Sequence, residues 1–240
     1  MHPHLARIGP IVIPTFGAVV ALGLVLAISL AARGARALRI SEDAVWNLCL
    51  WTAAGTLLFS RIVIVAQAAK AFLHYPLYIL TLPTVTKYGL LIAAVCALAY
   101  IAWEKLPWLR TLDALAPGLL LLQASIHLGS LFSGDDLGSA TDSFLGRIIT
   151  GDRGYHPVAL YAALLSLLAA GVAYLWLLRE TQSGETFGLG LTFAALIRFT
   201  ADTFRPTYTL PDNLVALQFG LAAAAVAGVC FFFTRPQRAQ

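Results

Sequence analysis

Arg198, Asp202 and Arg205 stand in and at the end of an apolar run where guanidinium and carboxylate groups are costly. Their i, i+4, i+7 spacing lines one stripe of an α-helix, ordered plus, minus, plus. An arginine at the centre of a membrane costs roughly 2.5–3.5 kcal/mol on insertion scales, so it faces a partner, a ligand or a water-filled cavity. Two chemistries fit the stripe. The charges can simply neutralise one another, or the carboxylate can aim a guanidinium at an anion. The planar donor fork of arginine matches a pair of phosphate oxygens and keeps its charge at any working pH. Arg61, Lys87, Tyr88, His127 and Ser130 also lie within or at the ends of apolar runs. His127, one turn from Ser130, suits a general base or an anion contact, and equally a satisfied helix histidine.

The elements that must position these residues are membrane-spanning helices. The 240 residues are 59% hydrophobic and 12% charged, with a mean hydropathy of +0.79, which is more apolar surface than a soluble core of this size uses. A hydrocarbon layer about 30 Å thick takes about 20 helical residues. Seven runs qualify: roughly 11–32, 44–68, 87–103, 112–133, 157–178, 185–204 and 213–234. The expected fold is therefore an all-α integral membrane protein, a single polytopic domain over 1–240 with seven transmembrane helices. The first run is too long for a removable signal peptide and lacks its basic flank.

Counting lysines and arginines in the connections places eight on one side, including Arg33, Arg36, Arg39, Lys105, Arg110 and Arg179, against six on the other. The positive-inside rule then predicts an external N-terminus and a cytoplasmic C-terminus. The connection 134–156, rich in glycine, serine and aspartate, is expected to form a small extracytoplasmic cap. With this topology Arg61, Tyr88, His127, Ser130, Arg198 and Asp202 all fall in the outer half of the membrane, which predicts one cavity opening to one leaflet. A phospholipid headgroup is the anion most available at that depth.

Cys49, Cys96 and Cys230 lie inside apolar runs and read as small buried hydrophobes, with no metal or disulfide pattern. The net charge of +4 sits mostly at the ends of runs, unlike the clustered footprint of a nucleic-acid binder. Asp113, near the start of the fourth run, is expected to serve structure beside a helix N-terminus.

Motifs follow one another in a fixed order: Gly9-Pro10 and Phe16-Gly17, Arg61, Asp113-x-x-Ala116-Pro117, the glycine frame Gly129, Gly134 and Gly138, His156-Pro157-x-x-Leu160-Tyr161, and Arg198-Phe199-x-x-Asp202-x-x-Arg205. In that order and spacing the chain resembles the prolipoprotein diacylglyceryl transferase family over nearly its whole length. It departs from the family at its signature. Gly-Arg-x-Gly-Asn-Phe-x-Asn-Gly-Glu-x-x-Gly corresponds here to a segment from Ile126 to Gly138 with His127, Ser130, Ser133 and Asp135 at the changed positions. The family's Ser-Phe-His-Gly-Gly corresponds to Thr86-Lys87-Tyr88-Gly89-Leu90, and its first-helix tyrosine to Phe16.

The resemblance implies a multi-pass protein of the bacterial cytoplasmic (inner) membrane that works without cofactor or metal. It implies transfer of the diacylglyceryl group of phosphatidylglycerol to the lipobox cysteine of prolipoproteins, in lipoprotein biosynthesis. The implied catalytic residues are His127, Tyr88 and Asp202. Those implied to bind substrate are Arg198, Arg205, Arg61, Ser130, Asp135, Gly138, His156 and Tyr161. The implied partners are phosphatidylglycerol or another anionic phospholipid, the prolipoprotein signal peptide and the membrane, with no nucleic acid. As a base for the thiol, His127 with a typical pKa of about 6.5 is better matched than Tyr88 at about 10. The altered signature leaves two alternatives open: a homologue that binds anionic phospholipid without turnover, or one that transfers a different lipid or glyceryl group.

Overall fold

The computed structural model describes residues 4–8, 11–74, 85–150, 154–179 and 182–206, with the helical positions 220, 222, 223, 226, 228 and 229. The expected seventh run, 213–234, lies outside the described residues apart from those positions, as do Gly9-Pro10, Arg153, Arg235 and Arg238.

The chain opens with an antiparallel ribbon, β1 (His4–Ile8) and β2 (Ile11–Pro14), in which Ile8 faces Ile11 and His4 faces Pro14. This corrects the expected start of the first helix at residue 11. Ile11, Val12 and Ile13 are β-branched and suit a strand, and extended Pro14 (φ −70°, ψ 136°) is the cap from which the helix begins.

The other named elements are helices: α1 (Thr15–Ala37), α2 (Glu42–Gln67), α3 (Ala69–His74), α4 (Lys87–Trp103), α5 (Trp108–Ser133), α6 (Phe144–Thr150), α7 (Val158–Leu177) and α8 (Glu185–Phe204). Five of them, α1, α2, α5, α7 and α8, are long and apolar enough to cross a membrane, and α4 is a shorter apolar helix of 17 residues. The protein is a helical, multi-pass membrane protein.

Small residues set which helices touch. In lipid there is little hydrophobic drive between helices, so close approach of backbones supplies the packing. A Cβ built on Gly118 of α5 would stand 2.6 Å from the Ala27 carbonyl of α1, and one on Gly34 would stand 3.1 Å from the Ala114 carbonyl. These contacts make α1 and α5 the central antiparallel pair. Against α5 lie α7, with Ala162, Ala163, Ala169, Ala170 and Ala173 buried, and α8. On the other side α2 packs on α1, and α4 packs chiefly along α2. At the α2–α4 crossing Gly89 meets the buried Ser60, whose hydroxyl accepts the Thr86 N–H at 3.0 Å.

Asp113 serves structure, although not at its own helix. Its carboxylate, only 1% exposed, accepts the N–H groups of Gly184 and, at 2.8 Å, Phe187, and so caps the first turn of α8 from within α5. The capped N–H groups are among those that a helix start leaves without an internal partner.

Candidate functional site

The end of α5, the segment that follows it, the start of α7 and the end of α8 meet at one end of the bundle. Gly134 terminates α5 in the left-handed region (φ 82°), with the Asp135 N–H donating to the Ser130 carbonyl at 3.0 Å. Two residues on, Asp136 is also left-handed (φ 61°), a conformation that aspartate tolerates better than most residues. The turn delivers the Asp136 carboxylate to Arg205, which donates from Nε to Oδ1 at 2.7 Å and from Nη2 to Oδ2 at 2.6 Å.

From there the charges alternate. Arg205 Nη1 donates to Asp202 Oδ1, and Asp202 Oδ2 accepts Arg198 Nε at 3.0 Å. The Asp202 side chain is fully buried, that of Arg205 is 11% exposed, and that of Arg198 is 42% exposed. All three kinds of nitrogen in Arg205 are thus engaged by carboxylates. The terminal nitrogens of Arg198 take no acceptor among the described residues. Burial would raise the Asp136 carboxyl, but the hydrogen bonds and charge of Arg205 outweigh it, helped by His127 and Arg198, and hold it below the ordinary carboxylate value. The Asp136 hydrogen bonds likewise hold Arg205 above the ordinary arginine value, against the effect of burial.

Half-buried His127 lies close enough to Asp136, Arg205 and Arg198 to feel each charge. Ser130, one turn on, is also half-buried. The segment after α5 is stitched beside them: the Gly138 N–H donates to the His156 carbonyl at 2.8 Å, the Ser139 N–H to the Phe204 carbonyl at 2.8 Å, and the His156 N–H to the Ser139 carbonyl at 3.0 Å. A Cβ on Gly138 would come within 2.7 Å of both the Phe204 carbonyl and Val158 Cγ2, so only glycine fits this crossing. Around it His156, Tyr161 and Phe204 form a ring cluster, with His156 and Tyr161 centred 5.1 Å and 5.7 Å from Phe204. His156 Nδ1 lies 3.5 Å from the Tyr161 hydroxyl.

The structure therefore gathers His127, Ser130, Gly138, His156, Tyr161, Arg198, Asp202 and Arg205 at one end. Two of the expected residues stand on other elements. Tyr88 is 51% exposed on α4, with Lys87 Nζ 5.2 Å from its ring centre, and Arg61 is half-buried on α2 next to Ser60. These two belong to the α2–α4 pair, whereas the charge chain belongs to α5 and α8. Asp135 is exposed, and the acid that reaches Arg205 is its neighbour Asp136. Sequence reasoning missed this residue because two adjacent aspartates look alike. The only available signal was the preceding Gly134, whose left-handed turn redirects the chain.

A sequence model of the family described as prolipoprotein diacylglyceryl transferase matches residues 3–234. Among proteins named phosphatidylglycerol–prolipoprotein diacylglyceryl transferase, that of Synechococcus elongatus is 29% identical over 190 residues, covering 74% of this chain and 65% of its own length. That of Tolumonas auensis is 30% identical over 223 residues, covering 85% and 82%, and that of Bacillus cytotoxicus is 24% identical over 258 aligned positions, covering 99% and 95%. The match thus spans a little under two thirds of the Synechococcus protein and 62% of a Chloroflexus aggregans relative. On a family match that runs through every element of the site, the chain belongs to the prolipoprotein diacylglyceryl transferase family.

Proposed function

We propose that the protein transfers the diacylglyceryl group of phosphatidylglycerol to the thiol of a lipobox cysteine. One observation carries the reading: a guanidinium, Arg198, is held by a buried carboxylate through its Nε while its two terminal nitrogens take no acceptor among the described residues at the end of the helix bundle. Family membership supplies the substrate class, and the relatives are named for this donor and acceptor.

In this mechanism the cysteine sulfur attacks the terminal glyceryl carbon of the diacylglyceryl group. A carbon–sulfur bond forms, the carbon–oxygen bond to phosphate breaks, and the electron pair leaves with glycerol phosphate. Arg198 holds the phosphate oxygens as their charge grows, the interaction that most lowers such a barrier. His127 takes the thiol proton, since the thiolate is the nucleophile. Arg205, already saturated, positions Asp202 and ties Asp136 to α8; it is a positioning residue and does not itself grip the phosphate. Tyr88 carries no step.

The site belongs in the outer leaflet of the bacterial cytoplasmic membrane. Arg33, Arg36, Arg39, Lys105, Arg110 and Arg179 mark the opposite, cytoplasmic end. With α4 and the run 213–234 as spans, seven helices leave the N-terminus outside and the C-terminus in the cytoplasm.

The test is the purified chain in detergent with phosphatidylglycerol and a lipobox peptide, read as the mass of the thioether-linked peptide. Product is expected, and Arg198→Ala lowers its rate by about 10²–10³-fold. Absence of product with the native chain overturns the proposal.

A further inference from the structure

The opposite end of the bundle holds a second concentration of arginines around a cavity of about 480 Å³. Its walls come from four helix ends: the ends of α1 and α7 and the starts of α5 and α8. Arg39, Arg110 and Arg179 line it, with Ser183 beside them and Leu177 and Leu178 giving an apolar side. All three arginines are exposed. Arg110 spends its Nε on the Ser183 hydroxyl at 3.2 Å, and Arg179 lies over the Trp176 ring at 5.1 Å. Their terminal nitrogens have no acceptor among the described residues. Asp113 is the one acid among the described lining residues, and both its oxygens already accept N–H groups from the start of α8. The cavity is therefore cationic and donor-rich.

It is separate from the Arg198 site. Gly184, where α8 begins, and Asp202 are 18 residues apart along one helix, about 27 Å at 1.5 Å per residue. That distance is close to the thickness of a hydrocarbon layer, about 30 Å, so the two arginine groups address opposite leaflets.

We propose that this cavity binds the phosphate of an anionic phospholipid in the leaflet opposite the Arg198 site. Three arginines lining one hollow supply guanidiniums that match phosphate oxygens as bidentate donors. Leu178, exposed like Leu175 one turn before it on α7, carries the apolar side to the outer surface and receives the start of the acyl chains. A free inorganic phosphate shares the headgroup chemistry but makes no use of that apolar side. The bound lipid seals the junction of α1, α5, α7 and α8 and takes no part in transfer.

The experiment counts lipids retained by the full chain in native mass spectrometry, on an Arg198→Ala background so that the first site does not contribute. One phosphatidylglycerol per chain is expected, and phosphatidylcholine is expected to be retained at least tenfold less. Adding Arg39→Gln, Arg110→Gln and Arg179→Gln lowers retention of phosphatidylglycerol by about tenfold or more, since each removes charged hydrogen bonds. The same triple substitution on the native background leaves peptide transfer unchanged. Equal retention of phosphatidylcholine overturns the proposal, as does undiminished phosphatidylglycerol on the triple variant. Displacement of the lipid by millimolar inorganic phosphate assigns the cavity to a free anion and overturns the lipid reading. Should the triple variant fail to fold, the headgroup and phosphate comparisons on the Arg198→Ala chain decide the matter alone.

Discussion

Replacing Asp136 with alanine removes both oxygens that hold Arg205 Nε and Nη2, at 2.7 and 2.6 Å, from a pair whose side chains are 21% and 11% exposed. Breaking a fully buried pair by deleting one partner costs about 3–5 kcal/mol, because the other charge is left uncompensated. Here Arg205 keeps Asp202, and the rim of the pair is wet, so the loss is closer to that of one charged hydrogen bond, about 2–3 kcal/mol. For a chain of this size that lowers the melting temperature by about 5–10 °C. The Asp136 carboxyl is held below its ordinary value in the folded protein. Its contribution is therefore fully present above the unfolded carboxylate pKa, about 3.9, and is lost as pH falls through the lower folded value. The measurement is tryptophan fluorescence during heating in detergent, for both chains, from pH 7 into acid. The gap between them should be full at pH 7 and shrink in acid as pH falls from about 3.9 through the lower folded value. An Asp136→Ala protein that melts with the native chain at pH 7, or a gap that persists unchanged into strong acid, refutes the clamp.

Arg198→Lys keeps the charge but loses the planar fork, and should lower kcat/KM for peptide transfer by about 10–100-fold while melting remains within 1–2 °C; an unchanged rate removes Arg198 from phosphate binding. Gly138→Ala drives a Cβ against the Phe204 carbonyl and Val158, both at 2.7 Å, and should destabilise the protein by about 1–3 kcal/mol, read as a lower melting temperature with a disturbed His156–Tyr161 cluster. Asp113→Ala uncaps α8 and leaves two N–H groups buried without an acceptor. A loss of about 1–2 kcal/mol is expected, visible as faster hydrogen exchange at the start of α8 and leaving the pH dependence of transfer where it was.

The helices were legible because lipid demands long apolar runs, and the runs at α1, α2, α5, α7 and α8 meet that demand in composition alone. The ribbon at 4–14 was not legible. A short β-branched stretch such as Ile11–Ile13 is as apolar as the helix that follows, and periodicity does not separate a buried strand from a buried helix turn. The Arg198–Asp202–Arg205 stripe was legible because i, i+4 and i+7 spacing is local to one helix. Tyr88 was joined to it by depth and by its place in the family pattern, and neither says which helix pair holds a residue. That depends on where glycine permits contact, as at Gly89 against Ser60 and at Gly118 against Ala27.

The two arginines of the stripe show the limit most clearly. Both sit within one turn of Asp202 and face the same way, so sequence assigns them the same task. Asp202 is shared between them, and two carboxylate oxygens cannot satisfy both forks. A second acid is needed, and it comes from a different element, 66 residues earlier, through a left-handed turn at Gly134 and Asp136. That acid reaches Arg205 and not Arg198. One guanidinium is then neutralised, buried and fixed, and the other is oriented through its Nε, its terminal nitrogens without an acceptor among the described residues. Which arginine keeps terminal nitrogens without an acceptor among the described residues is thus set by where the neighbouring loop delivers its acid.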